Sequence, residues 1–412
     1  MAPLEVLFEI GLLRHGLITG QPHYVVTHYD TAGVRARTAC AVASASLGAE
    51  TLPPMASAAS YTVRSAAPTL DSYMIGCAPF GVDASASWNP FGKNGATSDA
   101  QADATVAAAL NCGFLHFDTA PSYNNGVSET RLGRGLAAVG SPAGVAVWTK
   151  CGKLVRGPAG GGGGGSDGMV ADYTAAGCRM SFDESCERLG VTKLAGLRVH
   201  DPDDVVGGVD AALEPETGLL AEMVRLRDAG KIGRVGLGMN ANLRPDLILR
   251  LLREAPAGTF DTALLAGGWN LLGQDSLPIL QECEKRGIAV HNAGVFATGF
   301  LVGGSNYLYD IPPPEIIAAR DGWDALAKKH GCSLPAVALR FASIPNIIEH
   351  VLLGAYMQCT IAFRRSYNSF QLCLQVFQWH CTHTIPGALE RNQQGNSFHW
   401  PFSRHEYTSS VG

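Results

Sequence analysis

Four ionisable side chains stand at or just beyond the ends of short apolar runs. Asp118 lies in HFDTA with Tyr123 just beyond it, Lys150 closes VWTK, and His200 closes LRVH. Asn240 closes a further run, GLGMN. A phenol exchanges protons poorly near neutrality, because its ordinary pKa is ~10. A neighbouring ammonium favours the phenolate and lowers that value. A buried ammonium in turn needs an anion, which Asp118 can supply. A histidine opposite can orient or polarise a carbonyl. Asp, Lys, Tyr and His together make a proton-transfer site suited to interconverting C=O and C–OH, with hydride coming from a cofactor. Taken singly, each residue has a plainer role: a helix cap, a core phenol, a solvated amine, a structural imidazole. Their recurrence at successive run ends favours one explanation for all.

Residues so far apart in sequence meet only if their elements converge. Eight short runs read as strands: YMIGCAPF, FLHFDTA, GVAVWTK, LAGLRVHD, RVGLGMN, TALLAGGWN, IAVHNAGVF and HVLLGA. They are apolar at successive positions, as strands covered on both faces are. Helical patterns separate them. TGLLAEMVRLRDAGKI places Leu219, Met223 and Leu226 on one stripe, with Leu220 and Val224 beside it, and Gly230 ends it. SLPILQECEKRG has Ser276 as N-cap, Ile279, Leu280 and Cys283 facing inward, and Gly287 as its stop. DESCERLG and RPDLILRLLREAP behave alike. Strand–helix alternation implies a parallel sheet, and eight units favour closure. The expected fold is α/β, a (β/α)8 TIM barrel over 71–355, with a low-complexity extension at 1–70, a divergent tail at 356–412, and irregular termini. In such a barrel the active site lies at the C-terminal ends of the strands, where Asp118, Lys150, His200 and Asn240 fall.

At these residues the sequence resembles the aldo-keto reductases. GFLHFDTAPSYNNGVSETRLGRGL looks like the family's second strand and following helix, VWTKCG like its lysine segment and LRVHDPDD like its histidine segment. The resemblance implies a catalytic tetrad. Tyr123 would be the general acid/base, Lys150 would lower its pKa, Asp118 would hold Lys150, and His200 would orient the substrate oxygen. RDAGKIGRVGLGMN, LLAGGWNLLGQDSLPILQECEKRGIAVHNAGVFATGFL and PPPEI are most similar to the aldose 1-dehydrogenase branch, near the L-galactose dehydrogenases. That branch implies NADP- or NAD-dependent oxidation of a sugar's anomeric hydroxyl to a lactone, or interconversion of an aldehyde and an alcohol. Asn240 matches the position that contacts the nicotinamide amide. GVFATG, 294–299, matches the backbone loop near the cofactor pyrophosphate, and so names Gly294, Val295, Phe296 and Gly299. The likeness ends near Ala355, where YMQCTIAFRR replaces the segment that grips the adenosine. A second reading follows from that break: a barrel that binds nucleotide or a protein partner without catalysing. A metal-dependent hydrolase built on His200 and Asp201 lacks a second strand-end histidine pair.

The totals argue against nucleic acid or a membrane as the main partner, and the resemblance implies a small-molecule sugar or aldehyde. The chain has 412 residues, 46% of them hydrophobic, and a net charge of −5. It has no basic run suited to nucleic acid or a membrane surface, and no apolar run of spanning length. Its 11 cysteines lack paired spacing, which reads as buried thiols in a reducing compartment. Cys373, His380, Cys381 and His383 cluster in the tail without zinc spacing. GPAGGGGGGSDG, 157–168, reads as a low-complexity loop, since no Lys-Ser/Thr or helix follows it as in a phosphate loop. The segment 31–67 is rich in Ala, Ser and Thr and poor in acids, which suits a chloroplast or mitochondrial transit peptide or an extension with no address. The second case leaves the protein cytoplasmic.

Overall fold

The structure is a computed structural model that describes residues 68–82, 97–157, 168–308 and 310–354, and the backbone of two strands at His23–His28 and Arg37–Val42. Eight strands form the centre: β1 (Tyr73–Gly76), β2 (His116–Asp118), β3 (Ala146–Cys151), β4 (Leu194–His200), β5 (Ile232–Asn240), β6 (Thr262–Ala266), β7 (Ala289–Ala293) and β8 (Ile348–Gly354). They close into a barrel in chain order, each parallel to the next, and β8 returns to β1. All eight coincide with the apolar runs read from the sequence.

Parallel neighbours need crossovers, and helices supply most of them. They are α1 (Asp99–Cys112), α2 (Val127–Ala138), α3 (Ala175–Leu189), α4 (Gly208–Leu213), α5 (Leu219–Asp228), α6 (Pro245–Glu254), α7 (Leu277–Arg286), α8 (Pro314–Lys329) and α9 (Leu334–Ala342). Their starts carry the chemistry that starts a helix. Ser98 and Gln101 form a reciprocal capping box on α1, and Thr174 caps α3 through Gly177 N. Gly190 and Gly287 end α3 and α7 in the left-handed conformation. Leu219, Met223 and Leu226 are buried along α5. Ser276 stands at the N-cap of α7, but its hydroxyl caps nothing; its carbonyl accepts from Ile279 N and Leu280 N instead.

Two apolar layers result. The larger lies between strands and helices. The smaller fills the barrel with Met74, Trp148, Leu264 and Leu352. Gly196 is required there, because a Cβ on it would run into the Trp148 ring.

The structure adds elements that periodicity did not show. After β3 the chain forms an antiparallel ribbon, Lys153–Val155 with Met169–Ala171, closed by Arg156 N and Gly157 N on Gly168 O. Three-residue strands are too short to display an alternation. The polyglycine run between them lies outside the described residues. In the N-terminal extension His23–His28 pairs antiparallel with Arg37–Val42. The cysteine–histidine cluster of the tail, and the YMQCTIAFRR segment, also lie outside the described residues. Cys77, Cys151, Cys178, Cys186, Cys283 and Cys332 form no disulfide. No helix among those residues is long and apolar enough to cross a membrane.

Candidate active site

β2 ends at Asp118, and the chain turns sharply before α2 begins. Asn124, Asn125 and Gly126 all take positive φ. Asparagine tolerates that region better than other side chains, and glycine pays nothing for it. Ser128 ties the turn down: its hydroxyl donates to Cys77 O at 2.7 Å and lies 2.8 Å from Thr119 Oγ1. Gly81 permits the fit, since a Cβ there would approach Tyr123 O to 2.7 Å. The turn thereby sets Tyr123 over the C-terminal mouth of the barrel.

Lys150 arrives from β3 and spends its ammonium on this turn. Nζ donates to Asp118 Oδ1 at 2.6 Å, to Thr119 O at 2.8 Å and to Tyr123 Oη at 3.0 Å. An ammonium has three protons, so all are used. Lys150 and Asp118 are almost wholly buried. Burial pulls the Lys150 pKa down, but Asp118 and Tyr123 together hold it above its ordinary value, so the amine stays charged. Tyr123 departs from the expectation of a lowered pKa. Burial pushes the phenol up, Lys150 pulls it down, and Asp118 opposes Lys150; the balance lies above the ordinary phenol value. The ammonium therefore limits the rise that burial imposes.

His200 ends β4 with its ring 6.0 Å from that of Tyr123 and perpendicular to it. Its Nδ1 lies 3.2 Å from Ser122 Oγ. Tyr173 braces the strand end by donating to His200 O at 2.8 Å and Asp201 O at 2.9 Å. Burial, with Lys153 and Lys150 nearby, holds the imidazole pKa well below 6.5, so the ring is neutral at physiological pH. Asp201 lies 3.4 Å from His200 Nε2, and burial raises its pKa to about 6.

The structure thus brings Asp118, Tyr123, Lys150 and His200 together. Asn240 stands on the same rim at the end of β5, half-buried. The 294–299 turn follows β7, with positive φ at Gly294, Ala297, Thr298 and Gly299. Gly294 is required by close packing: a Cβ would lie 2.7 Å from Gly267 N. The Val295 and Phe296 side chains are buried.

Two features escaped the sequence reading. Thr119 lends Lys150 its carbonyl, which no pattern announces. Arg198 is wholly buried and donates through Nε to Asp118 Oδ2 at 3.0 Å. Its position was a signal: it lies two residues before His200 on a strand, so it shares the inward face.

Comparison with known proteins places the chain in a family. Residues 87–353 match the Aldo/keto reductase family. The chain belongs to the aldo/keto reductase family. This aldo/keto reductase is 31% identical over 315 residues to a pyridoxal 4-dehydrogenase of Microbacterium luteolum, covering 69% of the chain and 86% of the relative. It is 28% identical over 300 residues to a D-threo-aldose 1-dehydrogenase of a Pseudomonas species, covering 67% and 86%. It is 29% identical over 261 residues to the L-galactose dehydrogenase of Arabidopsis thaliana, covering 63% and 75%. Among solved structures, the glycerol dehydrogenase of Gluconobacter oxydans superposes with a TM-score of 0.52 at 24% identity, over 79% of this chain and 95% of that one. That likeness concerns the fold.

Proposed function

We propose that this aldo/keto reductase is an NADP- or NAD-dependent dehydrogenase of compounds that close to cyclic hemiacetals. It oxidises the anomeric hydroxyl of a sugar to a lactone, or interconverts a related aldehyde and alcohol. The observation that carries the reading is the three-way bonding of Lys150 Nζ to Asp118, Thr119 and Tyr123 at the mouth of the barrel. The names of three relatives favour this substrate class. Aldoses and pyridoxal share an aldehyde that a neighbouring hydroxyl can close into a ring.

The side chains of the site move protons but no electrons, so the reaction needs a two-electron partner, and a nicotinamide fits that donor set. When bound, it supplies or accepts the hydride. Asn240 and the backbone at Gly294, Val295, Phe296 and Gly299 would hold it. Tyr123 Oη takes the proton from the substrate hydroxyl during oxidation and returns it during reduction. Lys150 lowers the cost of the phenolate, and Asp118 keeps Lys150 charged and in place. His200, neutral, orients the substrate oxygen without adding charge.

The test is turnover of L-galactose, L-fucose, D-arabinose and pyridoxal with each nucleotide, followed by nicotinamide absorbance. Tyr123→Phe should lose about 10²–10⁴-fold in kcat while nucleotide affinity holds. Undiminished turnover in Tyr123→Phe sinks the assignment. The family match stops at residue 353, which favours a second reading, a catalytically impaired barrel that binds nucleotide or a protein partner. Nucleotide-dependent fluorescence quenching with no absorbance change on any of these substrates would select it.

A further inference from the structure

Arg198 is a wholly buried charge beside the site that this chemistry leaves unused. Besides Asp118, it donates through Nη1 to Thr262 Oγ1 at 3.2 Å and meets His291 Nδ1 through Nη2 at 2.8 Å. The guanidinium lies 4.2 Å from the Trp148 ring centre. Beyond it, His291 Nε2 lies 3.0 Å from Glu349 Oε2, which accepts from Arg234 Nη1 at 2.7 Å. Glu349 falls where the register between β7 and β8 shifts by a bulge. A continuous line of contacts therefore joins Asp118 to the N-terminal mouth of the barrel.

His291, Glu349 and His350 offer ligand atoms within 4.8 Å of one another, a spacing that suggests a cation site. Their neighbours argue against that role. A guanidinium only donates, so His291 Nδ1 must accept and a neutral ring carries its proton on Nε2, facing Glu349. Arg198 and Arg234 add two positive charges beside the set. The cluster serves instead as the brace that holds Arg198.

We propose that Arg198 is a positioning residue of the proton-transfer site. It holds Asp118 by the second carboxylate oxygen so that the first meets Lys150, and its charge favours the Tyr123 phenolate. This rests on Tyr123 acting as the acid/base. The charged and titratable groups around Tyr123 are Lys150 from β3, Asp118 from β2, and Arg198, His200 and Asp201 from β4 and its end. Those around Arg198 are Asp118, His291, Arg234 and His350, with Tyr123 beyond. Without Arg198 this set loses a cation, and Asp118 turns its whole charge toward Lys150. Both changes make the phenol harder to ionise.

Rates across pH on Arg198→Met and Arg198→Lys test this, with folding followed by thermal melting and nucleotide affinity by fluorescence. Arg198→Met should lower kcat by about tenfold or more with KM within about twofold, and move the ionisation that governs kcat up by about one pH unit. Arg198→Lys keeps the charge but cannot span Asp118, Thr262 and His291. Its ionisation should stay within a few tenths of wild type while kcat falls by about fivefold. An unmoved ionisation in folded Arg198→Met, or an equal shift in Arg198→Lys, overturns the proposal. Should Arg198→Met not fold, Arg198→Lys decides alone, and wild-type kcat in it overturns the proposal. A wild-type chain that turns over nothing removes the functional reading but leaves this one testable. Ultraviolet titration of the Tyr123 phenol, as the difference from Tyr123→Phe, then reads the same shift, and identical titration in wild type and the folded Arg198 variant overturns the proposal.

Discussion

Asp118 is the counterion of two buried cations, one on each oxygen: Lys150 at 2.6 Å and Arg198 at 3.0 Å. Breaking a buried pair from one side costs about 3–5 kcal/mol, because a charge is left without compensation. Asp118→Asn strands two such charges at once. Lys150→Met strands none, since Asp118 keeps Arg198; its cost is the lost bond to Thr119 O and the lost ion pair, about 1–3 kcal/mol. Urea unfolding should therefore rank Asp118→Asn as the less stable variant by about 2 kcal/mol. The opposite ranking would mean that Asp118 is not the shared anion. Both variants should lose turnover, so stability and not activity tells them apart.

At the scale of elements, the barrel was legible because its strands are apolar on both faces and its helices carry ordinary stop signals. HFDTA and VWTK also announced Asp118 and Lys150, since a charge at the end of an apolar run has few uses. Arg198 was only half legible, for a converse reason: its spacing from His200 gives its face, but inside LAGLRVH it reads as one polar letter among apolar ones, and its anion lies 80 residues away. Glu349 depends on a bulge, and a bulge depends on the partner strand. Close approaches between helices are equally silent. Gly133 on α2 is such a case: a Cβ would lie 2.7 Å from the carbonyl oxygens of both Arg188 and Leu189 at the end of α3. Alanine is the better helix former by about 1 kcal/mol. Backbone carbonyls cannot swing aside, however, and overpacking costs about 1–3 kcal/mol or more. Gly133→Ala should lower the melting temperature despite its propensity. It should also reduce kcat, because α2 carries the Tyr123 turn and the Glu129–Arg188 ion pair at 2.7 Å. An unchanged melting temperature would mean that α2 can shift away from α3 at no cost.

Over the whole molecule, the barrel interior holds imidazoles that stay neutral. His200 and His291 have pKa values well below 6.5, and His350 is lowered to about 4, in each case chiefly by burial. The unfolded chain protonates these rings near 6.5 and the native chain does not. As pH falls through that value the unfolded state binds the extra protons, and native stability declines. Asp201 works in the other direction. Its pKa is raised to about 6, so the native state takes a proton there that the unfolded state takes only near 3.8. Three rings against Asp201 and Asp203, whose carboxyl pKa burial also raises, leave a net loss between about pH 6 and pH 4. At about 1.4 kcal/mol per proton per pH unit, the slope reaches roughly 2–3 kcal/mol per unit. Glu349 extends the decline: His291 and Arg234 hold its carboxyl below 4.5, so its stabilisation is present above that value and lost below it. Urea unfolding at pH 8, 6 and 5 should show a plateau and then a steep fall. His350→Leu removes one of the three rings, so the fall below pH 6 should become shallower by about 1 kcal/mol per unit, with little change at pH 8. A slope unaltered by that substitution would mean that His350 is protonated in the native barrel, and that its contacts with His116 and Glu349 rearrange to accept the charge.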